Sequence, residues 1–161
     1  MRSLVSPLVL GGLSAIPFAS LAAIATYDGK GRLSIITSDV AAKANVAYGA
    51  SILSFLGGMH WSLAAVKHGV NEGNARALNA RYAWSVVPAL VAWPALMMPE
   101  RAACATIGAG LIACAAADTA WSAKGAFPRW MLPLRYALTG VGVASLAATA
   151  MRQRRGDDGD R

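Results

Sequence analysis

Charge is scarce in this sequence. Only 14% of the 161 residues are Asp, Glu, Lys or Arg, against roughly a quarter in ordinary soluble domains. That leaves too few charged groups to cover a water-facing surface. Acidic residues are rarer than basic ones, eight against fifteen, for a net charge of +7. No basic stripe interleaved with exposed aromatics accompanies this excess, which argues against a nucleic-acid partner. Cysteine is nearly absent. Cys104 and Cys114 share one apolar run, and on a helix they would stand ~15 Å apart, too far for a disulfide. They read as small buried thiols. There is no His-Glu-x-x-His, no phosphate loop, no nucleophile–base pair at working spacing and no cluster of metal ligands. The expectation is therefore of no catalytic residue, no metal and no cofactor. Strand-type alternation is also missing, which removes a membrane β-barrel.

What the sequence has is apolar length. Hydrophobic residues make up 56% of the chain, and they fall into five runs. Their limits are Leu4–Ala25, Ala44–Val66, Tyr82–Pro99, Ala102–Trp121 and Trp130–Met151. Each comes close to the ~20 residues that span a bilayer as a helix. Lipid offers no partner to a backbone amide, so the helix is the form such runs take. The expected fold is all-α, an integral membrane bundle of five transmembrane helices over about residues 4–25, 40–66, 82–99, 102–121 and 130–151. Residues 152–161 are expected to form a polar, disordered tail. Arg2 and the small residues around Ala25 also fit a cleavable signal peptide. Pro17, the length of the run and its weak leading charge favour a retained helix.

Between the runs lie turn and cap signals. Asp28-Gly29-Lys30-Gly31 predicts a turn, and Thr37-Ser38-Asp39 offers N-cap side chains for a helix starting near Val40. Gly69, Gly73 and Asn74 suit a break and a restart, Glu100-Arg101 a tight hairpin, and Gly125 with Pro128 another connection. Five spans put the termini on opposite sides. One side then holds Arg2, Lys67, Arg76, Arg81, Lys124 and Arg129. The other holds Lys30, Arg32, Lys43, Arg101, Arg152, Arg154, Arg155 and Arg161. The dense cluster at Arg152–Arg155 points to a cytoplasmic C-terminus. The absence of an Arg-rich amphipathic presequence points to a bacterial cytoplasmic membrane.

Two stretches carry a family likeness: Tyr48 to Trp61, with its Gly57-Gly58-Met59-His60-Trp61 core, and Arg81 to Pro88, which contains Tyr82, Trp84 and Ser85. Pro17-Phe18 and Trp130 to Thr139 extend it. The sequence resembles the DUF3429 family of transmembrane protein 69-like proteins. The likeness implies a multi-spanning membrane protein that keeps its first helix. It implies no reaction, cofactor or site residue.

Alternating helix directions bring certain polar groups into one half of the membrane. His60, Trp61, Arg81, Tyr82, Trp84, Asp118 and Arg135 form this candidate binding or polar cluster, and the opposite half is expected to hold no comparable set. Ionised groups near the bilayer centre cost ~2.5–3.5 kcal/mol each on insertion scales. Asp118 is therefore expected to face the bundle and meet Arg135 or Arg81. Its role is either an interfacial pair fixing helix depth, with Trp121 and Trp130 as anchors, or part of a ligand site. His60 is either a satisfied histidine at a tight crossing or a titratable site. Small residues recur at Ala50, Ser54, Gly58 and Ser62, and with Gly57 they predict a helix-packing face. Pro88 and Pro94 predict a kink, either beside a cavity or serving packing alone. Two functions fit: a structural, assembly or interaction protein, whose partner is a second copy or another membrane protein, and a small-molecule binder or minor transporter using the polar cluster.

Overall fold

The computed structural model describes residues 7–26, 36–70 and 74–159. Among these the chain is entirely helical: α1 Pro7–Leu13, α2 Ala15–Thr26, α3 Ser38–Ala65, α4 Ala75–Ala95, α5 Glu100–Ala123 and α6 Leu132–Gly159, with a 3-10 turn at Arg129–Met131. The Asp28–Gly31 turn, the stretch before Pro7 and Gly73 lie outside the described residues.

The helix limits differ from the sequence expectation in five places, each for a local reason. The first segment is two helices, broken at Ser14. Pro17 has no N–H for the Leu13 carbonyl, and its ring crowds that oxygen, so a continuous helix cannot pass. The Ser14 hydroxyl turns back to donate to the Gly11 carbonyl at 2.6 Å. Its own carbonyl accepts from Tyr48 Oη at 2.8 Å. The third span begins early, at Ala75, because Asn74 Oδ1 accepts from the Ala77 N–H at 3.0 Å and caps the helix there. It ends at Ala95, since Pro99 bars the residue before it from helical geometry. The turn is therefore Leu96–Met98. Glu100 and Arg101 are the first turn of α5, not a hairpin, which puts the Glu100 carboxylate where the helix dipole favours it. The expected disordered tail is instead helix as far as Gly159. Each added residue gains one hydrogen bond once a helix exists, and Arg and Gln are good helix formers.

Helix α3 starts at its cap Thr37, whose Oγ1 accepts from the Val40 N–H at 3.3 Å. It packs against α2, α4, α5 and α6. Further contacts join α4 with α5, α5 with α6, and α6 with α2, so these four helices form an open arc around α3, whose Phe55 and Trp61 stay exposed. The core along this axis is built from Phe18, Leu53, Leu56, Ile107, Leu111 and Leu146, with the free thiols Cys104 and Cys114 buried among small residues. Between helices, close approach to a neighbouring backbone occurs at Gly57. A Cβ at Gly57 would collide with the Ser85 carbonyl and lie 3.1 Å from Pro88 Cδ, so α3 and α4 cross backbone to backbone there. Gly58 is open, and Ser62 is exposed. The face of α3 that packs inside the chain is thus Gly49, Leu53, Gly57, His60 and Ala64. Of the predicted small-residue ridge, Gly58 and Ser62 face outward, because adjacent helical residues point ~100° apart, while Ala50 is buried and Ser54 half-buried.

Large apolar side chains lie on the outside as well as in the core. Phe55, Leu90, Trp93 and Met97 are exposed at 64%, 65%, 68% and 69%, while Asn45, His60, Arg81 and Asp118 are buried. By length and apolarity alone, two helices among the described residues qualify to cross a membrane, Glu100–Ala123 and Arg129–Arg152; Gly11–Thr26 is apolar but shorter. The expected five therefore exceed what length and apolarity support. Helix α3 carries the buried polar groups Asn45 and His60, and α4 carries the buried Arg81 and the exposed Arg76 and Asn79, which lowers the apolarity of both.

The half expected to lack polar groups has a network of its own. Asn45 Nδ2 donates to Ser145 Oγ at 2.9 Å and to Thr149 Oγ1 at 2.8 Å. Ser145 Oγ lies 2.7 Å from the Phe18 carbonyl. These buried neutral groups tie α2, α3 and α6 together. At the rim nearby, Arg152 bridges Asp39 at 2.7 Å and Glu100 at 3.1 Å. The hydrogen bond and charge of Arg152 hold the Asp39 carboxyl below its ordinary value of 3.8.

Candidate functional site

Four of the seven residues in the predicted cluster converge. His60 comes from the last third of α3, Asp118 from the end of α5, Arg135 from the first turn of α6 and Arg81 from the second turn of α4. The alternating helix directions bring these ends to one level. Asp118 stands between two partners: Oδ1 lies 2.8 Å from His60 Nε2, and Oδ2 lies 2.5 Å from Arg135 Nε. The second contact is an ion pair rather than an aligned hydrogen bond, since neither atom has a hydrogen-bond partner. An ionised carboxylate only accepts, so His60 donates from Nε2. In the neutral imidazole Nδ1 then carries a lone pair, and it is buried without a partner. The ring is flanked by Trp121 at 6.2 Å and Phe127 at 5.9 Å between centroids.

Arg81 has a different task. Its Nη1 donates to the His68 carbonyl at 2.7 Å and its Nη2 to the Ala126 carbonyl. One guanidinium thereby clamps the α3–α4 and α5–α6 connections. Those connections already touch at Gly69, where φ is +65° and a Cβ would lie 2.8 Å from the Ala126 nitrogen. The face of Arg81 lies over Trp121, 5.2 Å from its centroid. Its Nε is buried without a partner, as is Ser122 Oγ one turn beyond Asp118.

Counting charges shows what the site lacks. With His60 neutral, the buried set holds two guanidiniums, Arg81 and Arg135, against one carboxylate, Asp118. Arginine does not lose its proton in proteins, so the interior keeps an excess positive charge.

The other three predicted residues lie apart. Trp61 and Tyr82 pack edge to face at 4.9 Å on the outside of the α3–α4 pair. Trp84 is half-buried against the core, with Nε1 unpartnered. Sequence reading missed Met59, Trp121, Ser122 and Phe127. Ser122 was within reach, since it follows Asp118 by one turn on the same face. Trp121 looked like a headgroup anchor and is instead a wall of the cluster. Trp130 is the exposed one.

Beside the ion pair lies a cavity of about 500 Å³. Its walls are apolar, with Phe18, Ile52, Leu56, Met59, Leu111 and Leu138 among them. Polar lining comes from Ser14, Thr139 and Arg135. Ser14 Oγ is engaged by its own helix. Arg135 Nη2 reaches only the weak acceptor Met59 Sδ, at 3.2 Å. No residue of α4 lines the space, so Pro88 serves the crossing at Gly57 and not the cavity. Among the described residues no three His, Cys, Asp or Glu side chains converge as metal ligands.

An apolar exterior, a small-residue crossing and buried charges are features that helical membrane proteins share. The chain belongs to the DUF3429 family, described as a protein of unknown function, whose family model matches residues 5–151. It is 37% identical over 110 residues to Transmembrane protein 69 of Xenopus tropicalis, a match covering 66% of this chain and 40% of that relative. The chain thus matches under half the length of that curated protein. No solved structure matches.

Proposed function

We propose that the chain is a multi-pass protein of the bacterial cytoplasmic membrane, crossing it five times with its C-terminus inside, and that its interior binds a small molecule. Five crossings are supported by the inverted distribution of side chains: large apolar groups outward, polar groups inward and hydrogen-bonded across helices. Exposed groups such as Phe55, Leu90, Trp93 and Met97 find their natural solvent in lipid. The observation that carries the binding reading is the cavity of about 500 Å³ ending on Arg135, within the usual range of about 300–1,000 Å³ for ligand pockets. A charge pair serving only to set helix depth has no need of empty space beside it.

The test is to fill the space. Thr139→Phe, reconstituted in lipid, is expected to fold and to lose a small molecule that copurifies with the unaltered protein, read by native mass spectrometry. Identical ligand content in both would overturn the reading. Crossing number and orientation are read by labelling single cysteines placed at Lys67, Met98 and Lys124 from each side of sealed vesicles, with Lys67 and Lys124 expected on the outer face and Met98 on the inner. A structural or assembly role is the second reading, favoured by the outward ridge at Gly58 and Ser62, where a Cβ at Gly58 meets nothing in the chain. Disulfide trapping of a Gly58→Cys dimer would support it.

A further inference from the structure

We propose that the ligand is an acidic amphiphile: an acyl-type apolar chain lying along the cavity, with its anionic head on Arg135. This rests on the binding reading above and specifies the class of ligand. Three observations converge. First, the walls accept a hydrocarbon and little else, since Phe18, Ile52, Leu56, Leu111 and Leu138 offer no hydrogen bond. Second, the one charged group in the lining is a guanidinium only partly used. Of its five N–H donors, Nε faces Asp118 and Nη2 touches Met59 Sδ. The planar fork it still presents matches a carboxylate or phosphate in two-point contact. Third, the buried set carries one positive charge more than its carboxylate balances. An anionic head supplies that missing charge where lipid and protein together screen it poorly.

The way in also suits a lipid-borne ligand. Helix α1 packs on α2 and α6 and stands off from α3. Phe55 lines the cavity and is also 64% exposed, so it marks the rim of the opening. That opening faces sideways, toward the acyl chains of the bilayer rather than toward water. The break at Ser14, forced by Pro17, shapes it, and Gly11 and Ser14 both line the space. Once seated, the anion competes with Asp118 for Arg135 and leaves Asp118 hydrogen-bonded to His60. Asp118 is thus a positioning residue that holds the guanidinium in place until the head arrives.

The experiment uses the full chain in phosphatidylcholine vesicles and a diazirine-bearing palmitate, with crosslinked peptides mapped by mass spectrometry. Unlabelled palmitate, methyl palmitate, lysophosphatidic acid and inorganic phosphate serve as competitors. Labelling is expected on cavity residues such as Phe55 and Leu138. Palmitate and lysophosphatidic acid should compete, and the stronger of the two tells whether the source is a free fatty acid or a lipid phosphate head. Arg135→Gln should weaken competition by about tenfold or more, the scale of one charged hydrogen-bonded contact. Asp118→Asn should strengthen it, a change of sign that a purely structural pair would not produce. The double variant Asp118→Asn/Arg135→Gln removes both charges together, which guards against misfolding, and should no longer distinguish acid from ester. If methyl palmitate competes as well as palmitate and Arg135→Gln changes nothing, the acidic class is overturned while the binding reading survives. If inorganic phosphate competes as well as the amphiphiles, the site is for free anions and the proposal fails. If no amphiphile labels the cavity, the amphiphile proposal fails, and the Thr139→Phe comparison separately decides whether anything binds there.

Discussion

Each end of the helical bundle hides polar side chains, but in opposite electrical states. In the Asn45 network the groups are neutral, and donors and acceptors match: Asn45, Ser145, Thr149 and the Phe18 carbonyl form a closed set, with the ionised Arg152, Asp39 and Glu100 outside it at the rim. At the His60 end the groups are ionised and mismatched, with His60 Nδ1, Arg81 Nε and Ser122 Oγ all buried without partners. The charged end adjoins about 500 Å³ of empty space. A satisfied network fixes packing and asks for nothing more, whereas uncompensated charge and unused donors are costly in a dry interior and persist where something else supplies the balance. The contrast separates the part of the bundle that holds it together from the part available for function.

The sharpest way to break the contrast is to remove the central carboxylate. Asp118→Ala leaves Arg135 and His60 without their shared acceptor and is expected to cost about 3–5 kcal/mol, the usual loss when one partner of a buried pair is deleted. Unfolding titrated with sodium dodecyl sulfate measures it, and a loss near zero would mean that the charged end contributes nothing to the fold. Next in size is Gly57→Leu, which drives a side chain into the Ser85 carbonyl and Pro88. The same titration should show a loss of about 3 kcal/mol, the upper range for overpacking. Gly58→Leu, one residue along and facing outward, should leave the monomer unchanged, and equal losses at the two positions would refute the assigned crossing. At the neutral end, Asn45→Ala should cost about 1 kcal/mol, since hydrogen bonds between membrane helices are individually modest. It should leave ligand content untouched, which Arg135→Gln should not. The smallest effect belongs to Asp39→Asn at the rim, an exposed group whose ion pair with Arg152 is worth little. Because Arg152 lowers the Asp39 pKa, its contribution is present above the ordinary value and fades as pH falls through the lowered one. The difference between Asp39→Asn and the unaltered chain should therefore stay flat from about pH 5 to 8.

Much of the charged end could be read in one dimension. Antiparallel helices of similar length must place the end of one beside the start of the next, and this puts His60, Arg81, Asp118 and Arg135 at one level. The neutral end was missed because Asn45, Ser145 and Thr149 carry no charge to stand out in an apolar run. Ser145 and Thr149 do lie one turn apart on one face, but a hundred residues separate them from Asn45. The cluster's limits were also misjudged. Trp61 lies next to His60 in sequence yet points outward, because one step along a helix is a turn of ~100°. Trp121 turned inward because Arg81 covers its face. The break at Ser14 is implicit in Pro17, but its consequence, a wall standing off from α3, depends on where α6 holds α1.

The sequence by itself determined that the chain is helical, that its exterior is apolar and which ends of the helices meet. Those properties follow from composition, run length and chain direction, which act locally and repeat along the chain. Only the tertiary structure decided that Asp118 chooses Arg135 and His60 while Arg81 clamps two loops, that Gly57 and not Gly58 is the crossing, and that a space remains beside Arg135. Such choices turn on the rotation of each helix about its axis and on ångström-scale fit between side chains distant in sequence. No pattern along a single helix encodes either one.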